Sequence, residues 1–362
     1  MRTHRYPATA SLTTHTAVRW SLLLMLLAGL LLACPRARAA DAHADYLLID
    51  RAHLAALPTH GAAWDHLKRT ADGDLGTADI ADQNSQHDTN TLAAALVYAR
   101  TGDARYRSKA ERALLAAIGT ERGGRTLALG RNLVSYVLAA DLIDLRDVDA
   151  PADTHFRAWL AAVRAERLDG RTLISTHEDR PNNWGTHAGA SRVAVDMYLG
   201  DTADLARAAQ VFRGWLGDRS AYAGFHFGDR AWQADPSHPI GINLKGSTKD
   251  GHSIDGVLPD DQRRAGGFRW PPPDENYVWE ALQGAIVQAE LLQRAGYDVY
   301  HASDNALLRA YAWLFDVCHY PPSGDDTWQP WMVNHAYGAH FPTTAARTGK
   351  NMGFTDWLYG SR

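Results

Sequence analysis

Two stretches of the chain carry the side chains that could do acid–base work on a carboxylated substrate. The first, Arg180 to Gly200, reads R-P-N-N-W-G-T-H-A-G-A-S-R-V-A-V-D-M-Y-L-G. Asn182, Asn183, Trp184 and His187 crowd into its polar part, and from Ala188 onward small and apolar residues recur at helical spacing through Ala190, Val193, Ala194 and Met197. The spacing predicts a helix whose first turn holds the polar cluster. Unpaired N–H groups and the positive end of the macrodipole there favour an anion, and a substrate carboxylate is one candidate. A plain helix cap accounts for one asparagine; two, with a Trp and a His beside them, point to a site.

The second stretch is a long loop followed by a helix start. It contains His226 and Trp232, then Arg263, Arg264 and Arg269, all ahead of Tyr277, which opens the next predicted helix. The planar fork of an arginine fits a carboxylate, and a cation close to a tyrosine eases the phenol toward the form that acts as a base. Asn, His, Arg and Tyr together suggest chemistry on a carboxylated sugar. Trp184, Trp232, Trp270 and Trp279 offer flat apolar faces to sugar rings, although large aromatics more often fill cores, so one or two are expected to line a cleft. His87, Arg131 and Asn132 lie at or just before helix starts and are candidates for the same rim, and the Arg and Lys residues of 245–269 are expected to face the cleft.

The elements that must position these groups are helical. His53 to Ala71 reads as a helix or a pair, followed by a polar loop with His87 and Asp88 near its end and a helix over Thr91–Arg100. Arg131–Leu145 and His155–Arg167 supply two more. Helical hairpins with tight joints recur at Gly102, where Asp103 can cap the following helix, at Gly200, and more loosely at Gly296. Strand signals are weak throughout. Consecutive antiparallel hairpins, each too narrow to bury its own apolar face, stack into a solenoid or close into a ring, so an all-α fold, an α/α toroid, is expected. The stretches 220–273 and 320–354 are rich in Gly, Pro, Trp and His without helical periodicity and read as long functional loops.

Residues 1–39 hold Arg2, Arg5 and Arg19, no acidic residue, and the apolar run Ser21–Cys34, followed by A-R-A at 37–39: a signal peptide pattern with cleavage near Ala39 or Ala40 and a single domain over 40–362. Pro35 after Cys34 fits a lipid-attachment box poorly, so a lipid anchor is disfavoured. The expected address is periplasmic or secreted. Cleavage takes Lys+Arg from 37 to 32 against 41 Asp+Glu, moving net charge from −4 to −9. No basic patch for nucleic acid is evident and no membrane association is expected after cleavage. Only Cys318 remains, which rules out an intramolecular disulfide and a Cys-based zinc site. No H-E-x-x-H spacing, phosphate loop, G-x-S-x-G elbow or dinucleotide fingerprint occurs, and neither metal nor cofactor is expected.

N-N-W-G-T-H-A-G-A-S-R-V-A-V-D-M-Y-L-G-D, the D-G-V-L-P-D-D-Q-R-R stretch followed by N-Y-V-W-E-A-L-Q-G-A, the T-G-D joint and the terminal G-F-T-D-W-L-Y-G resemble the alginate lyase superfamily of α/α-toroid polysaccharide lyases. The resemblance runs from about His87 to Tyr359. It implies β-elimination across C4 and C5 of a uronic acid in alginate or a similar polyuronate such as glucuronan. The C5 proton is weakly acidic and its loss places charge on the adjacent carboxylate. Pre-aimed donors and a positioned acid and base are therefore required.

By that resemblance Asn183 matches an Asn that contacts the carboxylate, with Asn182 beside it. Arg264 matches the family Arg, with Arg263 as a close competitor, and Tyr277 the Tyr that protonates the leaving oxygen and also serves as a base. The chain departs from the family pattern at Trp184, which stands where the best-known enzymes carry the catalytic His. The base is thereby open between His187, one turn on from Asn183, and His226, with His238, His252, His335 and His340 further off. Two rivals remain. A hydrolase on the same toroid would need an acidic pair drawn from Asp255, Asp261 or Glu275. A periplasmic carbohydrate-binding protein would have no need of Tyr277.

Overall fold

Apolar residues three and four apart, broken at intervals by Gly, Pro and Asp, fold this chain into successive helices in the computed structural model, which describes residues 45–360. The expected signal peptide lies outside the described residues. Among the described residues the first ten helices are α1 Arg51–Ala56, α2 Ala62–Asp72, α3 His87–Thr101, α4 Ala104–Ala117, α5 Thr126–Leu142, α6 Leu145–Val148, α7 Ala150–Val163, α8 Leu173–Asp179, α9 Asn183–Leu199 and α10 Thr202–Trp215. After them come the two-residue strands β1 Thr248–Lys249 and β2 His252–Ser253, paired antiparallel, and the single turn α11 Pro259–Gln262. The chain finishes with α12 Asn276–Arg294, α13 Ala302–Ala312, α14 Gln329–Tyr337 and α15 Thr355–Leu358.

The expected joints form as their residues dictate. Gly102 and Gly200 end α3 and α9 at φ 73° and 72°, in the left-handed region that only glycine enters without strain. Asp103 then caps α4 by accepting the Arg105 N–H at 3.0 Å, and Asp201 caps α10 by accepting that of Asp204 at 3.1 Å. Two expectations need correction. His87 and Asp88 belong to the first turn of α3 and are buried there, not in the preceding loop. The 320–354 stretch contains α14, a short helix whose apolar residues are too interspersed with Trp, Asn and His to show periodicity.

α5, α9 and α12 form the inside of the fold; α5 is buried at every position but Asp141. Ser191 Oγ of α9 donates to the Gly130 carbonyl of α5 at 2.8 Å and accepts from Val134 N–H at 3.1 Å. On the other flank Asn183 meets Glu280 of α12, and Gly284 meets Thr186 and His187. Contacts that advance together along both chains make the three helices parallel, with their N-terminal ends on one rim. A Cβ at Gly130 would fall 2.8 Å from the Ala188 nitrogen, and one at Gly284 would collide with the His187 nitrogen, so glycine is required for this approach. Outer helices return the chain between the inner ones, as in an incomplete α/α toroid. The long loop is pinned by its own apolar anchors, Trp232, Ile242, Ile254, Val257 and Leu258, all buried.

Candidate active site

Because α5, α9 and α12 run parallel, whatever polar side chains occupy their first turns meet at one rim. Asn182 is the N-cap of α9: its Oδ1 accepts the Trp184 N–H at 3.2 Å and its Nδ2 donates to Asp260 at 2.9 Å. Asn183, the first residue of α9, is fully buried. Its backbone N–H donates to Asp261 at 3.1 Å and its Nδ2 to Glu280 at 3.0 Å, which leaves Oδ1 to accept from Arg264 Nη2 at 3.3 Å. The amide is therefore oriented on every side.

Arg264 and Tyr277 reach the same point from the loop and from α12. The Arg264 guanidinium carbon stands 4.0 Å from the centre of the Tyr277 ring, a cation–π contact. Tyr277 is 40% exposed, an unusual state for a large aromatic, and Glu275 caps α12 beneath it by accepting the Tyr277 N–H at 3.0 Å. Arg263 is committed elsewhere. It lies flat against Gly228 and pairs with the buried Asp260 at 2.8 Å, and Asp260 also accepts from Asn182 and the Gly228 N–H. Of the two adjacent arginines, Arg264 is the one brought to Asn183. Arg269 is exposed and touches neither of them.

Arg131, in the second turn of α5, is 4% exposed and is gripped by Glu280 at 3.2 Å and Asp325 at 3.0 Å. Glu280 thus ties Arg131 to Asn183. Glu280 sits three positions after Tyr277, on the same face of α12, and that i,i+3 relation was its one signal in the sequence. Asp325 had none, being nearly two hundred residues from Arg131. Asp261 is fully buried, and burial followed by the neighbouring Asp260 charge pushes its carboxyl well above the usual range.

The candidate histidines divide by burial. His187 does share a face of α9 with Asn183, but it is fully buried between α5 and α12, with Nδ1 against Asn351 Oδ1. Burial, then the nearby Arg131 charge, drives its pKa well below the ordinary value and keeps it neutral. His226 is the opposite case: its imidazole is 78% exposed, 3.8 Å from Asp179. No hydrogen bond joins either one to Tyr277. His238 pairs with Asp235 and His252 stacks on Trp270, with ring centres 4.3 Å apart. His87 is buried at the start of α3, bound to the Tyr136 hydroxyl at 2.7 Å, and Asn132 holds the carbonyls of Ile80 and Asp82. Lys350, fully buried, bridges Asp88 and Asn132 below them.

The expectation for Trp232 is overturned. Its ring is wholly buried, donates to the Gly266 carbonyl at 3.0 Å and packs edge-on against Phe268 and Trp313, so it cannot touch a sugar. Trp279 is likewise core. Trp270 is exposed and Trp184 half-buried, Trp184 with the Arg180 and Arg125 guanidinium carbons 5.0 and 5.5 Å from its ring centre. Of the basic residues at 245–269, Arg264 faces the rim, whereas Arg263 is ion-paired and Lys249 packs on Phe268.

Among the described residues no group of three or more His, Cys, Asp or Glu side chains is arranged to hold a metal ion. The acidic residues a hydrolase would use are occupied: Asp255 by Arg309, Asp261 by Asn183 and Glu275 by the α12 cap. What remains open at the rim is the Arg264 guanidinium, braced by the buried Asn183 amide, and the exposed Tyr277 phenol, which can bind a carboxylate and move one proton beside it.

A family model described as alginate lyase matches residues 51–226. The match takes in Arg131, Asn182 and Asn183 and ends before Arg264 and Tyr277. Searches of curated proteins and of solved structures each found no match.

Proposed function

The chain belongs to the alginate lyase superfamily, matched over residues 51–226, which makes it a polysaccharide lyase by family, and we propose that it cleaves a linear polyuronate by β-elimination, alginate first and glucuronan second. The observation that carries this reading is Arg264, which contacts the Asn183 amide and the Tyr277 ring at once. A uronate carboxylate held by the exposed Arg264 guanidinium, which the buried Asn183 amide orients, brings its C5 hydrogen toward the Tyr277 hydroxyl. The guanidinium donors offset the charge that builds on the carboxylate as the C5–H bond breaks. The phenolate oxygen of Tyr277 takes the proton, a C4–C5 double bond forms, the C4–O bond breaks, and Tyr277 returns the proton to the leaving oxygen.

Tyr277 does both jobs in this reading because His187 is enclosed and Trp184 has no basic nitrogen. One group acting twice requires the C5 hydrogen and the C4 oxygen on the same face of the ring. Mannuronate and glucuronate meet that condition and guluronate does not. Delivery to the periplasm or outside the cell is part of the proposal and rests on the pattern of residues 1–39.

The test is ultraviolet absorbance of the purified mature protein with poly-mannuronate, poly-guluronate and glucuronan in chelator-treated buffer. A rise with poly-mannuronate or glucuronan, from the conjugated double bond, is the expected result. New reducing ends without that absorbance would mean hydrolysis, and no product from any of the three would sink the polyuronate reading.

A further inference from the structure

Most buried or half-buried arginines of this protein face an acid: Arg164 meets Asp196 at 2.7 Å, Arg131 meets Glu280 and Asp325, and Arg171 meets Asp179 at 2.8 Å. Half-buried Arg180 does not, and neither does the exposed Arg125 on the same Trp184 ring. Among the described residues neither has a carboxylate at ion-pair distance. Arg125 donates only to the Gln83 amide at 2.9 Å, and Arg180 Nε is buried with no partner. Both guanidinium groups are instead laid over the Trp184 ring, at 5.0 and 5.5 Å. Burial, then the Arg171 charge, lowers the Arg180 pKa, and the Asp260 and Asp179 charges, neither at ion-pair distance, offset only part of it.

Concentrating unpaired positive charge on one partly desolvated patch costs folding free energy unless an anion completes it. Trp184 directly follows Asn183, and consecutive helix positions point about 100° apart, so this patch flanks the first-turn site without overlapping it. A linear polyuronate carries one carboxylate on every unit, and a unit held at Arg264 must place its neighbour beside it. We propose that Arg180 and Arg125, seated on Trp184, bind the carboxylate of the uronate unit next to the one held by Arg264 and Tyr277. This rests on the polyuronate reading and extends it. The indole that stands where the family's best-known enzymes have a catalytic His then serves to hold two cations and lay the polymer across the rim, and a protein of net negative charge gains a local positive track for a polyanion.

Calorimetric titration of the full chain carrying Tyr277→Phe, with and without Arg180→Gln or Arg125→Gln, tests it, with mannuronate monomer and tetramer as probes. Arg180→Gln should weaken tetramer binding about tenfold and leave the monomer little changed, Arg180→Lys should recover part of the loss, and the salt dependence of tetramer binding should flatten in the Gln variants. A merely structural arginine would weaken both probes together. Equal loss for monomer and tetramer, or no loss for either, overturns the subsite. If native enzyme releases unsaturated product from poly-mannuronate while Arg180→Gln acts on it with unchanged KM, only the subsite fails. If the Tyr277→Phe parent binds no uronate and the native chain makes no unsaturated product, the functional reading fails and takes the subsite with it.

Discussion

Arg264 joins Asn183 to Tyr277: its Nη2 donates to the Asn183 amide oxygen at 3.3 Å while its guanidinium carbon stands 4.0 Å above the tyrosine ring. It reaches them from a 3-10 turn, Arg263–Ala265, that belongs to neither of their helices. The carboxylate donors and the acid–base group are thus linked through one planar side chain. Replacing Arg264 by Lys keeps the charge and loses the fork. The expected result is a fall in kcat/KM of about 10²-fold, the usual effect of removing one pre-aimed donor, with Tm nearly unchanged. Steady-state ultraviolet assays on poly-mannuronate read the first, and calorimetry the second.

Tyr277→Phe removes the acid and the base together. Elimination should drop by at least about 10³-fold, toward the upper end for acid–base groups, while polymer binding stays within a few-fold of the native protein. A variant that still turned polymer over at a tenth of the native rate would exclude Tyr277 as the proton carrier.

Glu280 has no part in the proton transfer, yet both Asn183 Nδ2 and Arg131 Nη1 depend on its carboxylate, at 3.0 and 3.2 Å. Glu280→Ala would leave a nearly buried Arg131 with Asp325 alone and free the Asn183 amide to turn. Breaking such a pair costs about 3 kcal/mol, so a lowered Tm and a lowered kcat should appear together. Glu280→Gln keeps an acceptor for the amide and should fall between Ala and native in both measurements.

His187 and His177 should each cost the fold stability as the solution is acidified through the ordinary histidine range, while buried carboxyls with raised pKa, among them Asp261, Asp196 and Asp141, work the other way. His187 and His177 are fully buried and held neutral, each with its folded pKa well below the ordinary 6.5. At these two sites the unfolded chain therefore binds more protons below about pH 6.5, and the folded state loses ground as pH falls from there. Tm of the native protein and of His187→Gln, measured from pH 8 to pH 5, should change in parallel above about 6.5 and diverge below it, with the variant gaining on the native protein. An unaltered slope in the variant would mean that His187 takes up its proton inside the fold.

Gly→Ala in an exposed helix stabilises by about 1 kcal/mol. At Gly284 and Gly130 the sign should reverse, because the added methyl meets the backbone of α9 at Thr186–His187 and at Ala188. A loss of about 2 kcal/mol or more is expected from overpacking. Activity should fall as well, since these contacts set where α5 and α12 stand against α9, and with them the positions of Arg131 and Glu280 relative to Asn183. Denaturant unfolding and the ultraviolet assay give the two readouts.

The helices, their Gly–Asp joints and the placement of Asn183 and Tyr277 at helix starts were legible in the sequence, because propensity, capping and apolar spacing act within a few residues. The Trp184 departure could be read there too, as a residue identity. What became of each side chain was settled only by packing. His187 looked accessible one turn from Asn183, but Gly130 and Gly284 let two neighbouring helices close over it. Arg263 and Arg264 are equivalent by composition, and Asp260 and Gly228 take the first while Asn183 takes the second. Trp232 lay in a loop rich in binding-type residues and became that loop's apolar anchor. Glu280, Asp325 and the unpaired Arg180 and Arg125 gain their meaning from partners far away in the chain, or from the lack of one. Burial and charge pairing depend on which distant residues share a neighbourhood, and local sequence does not contain that.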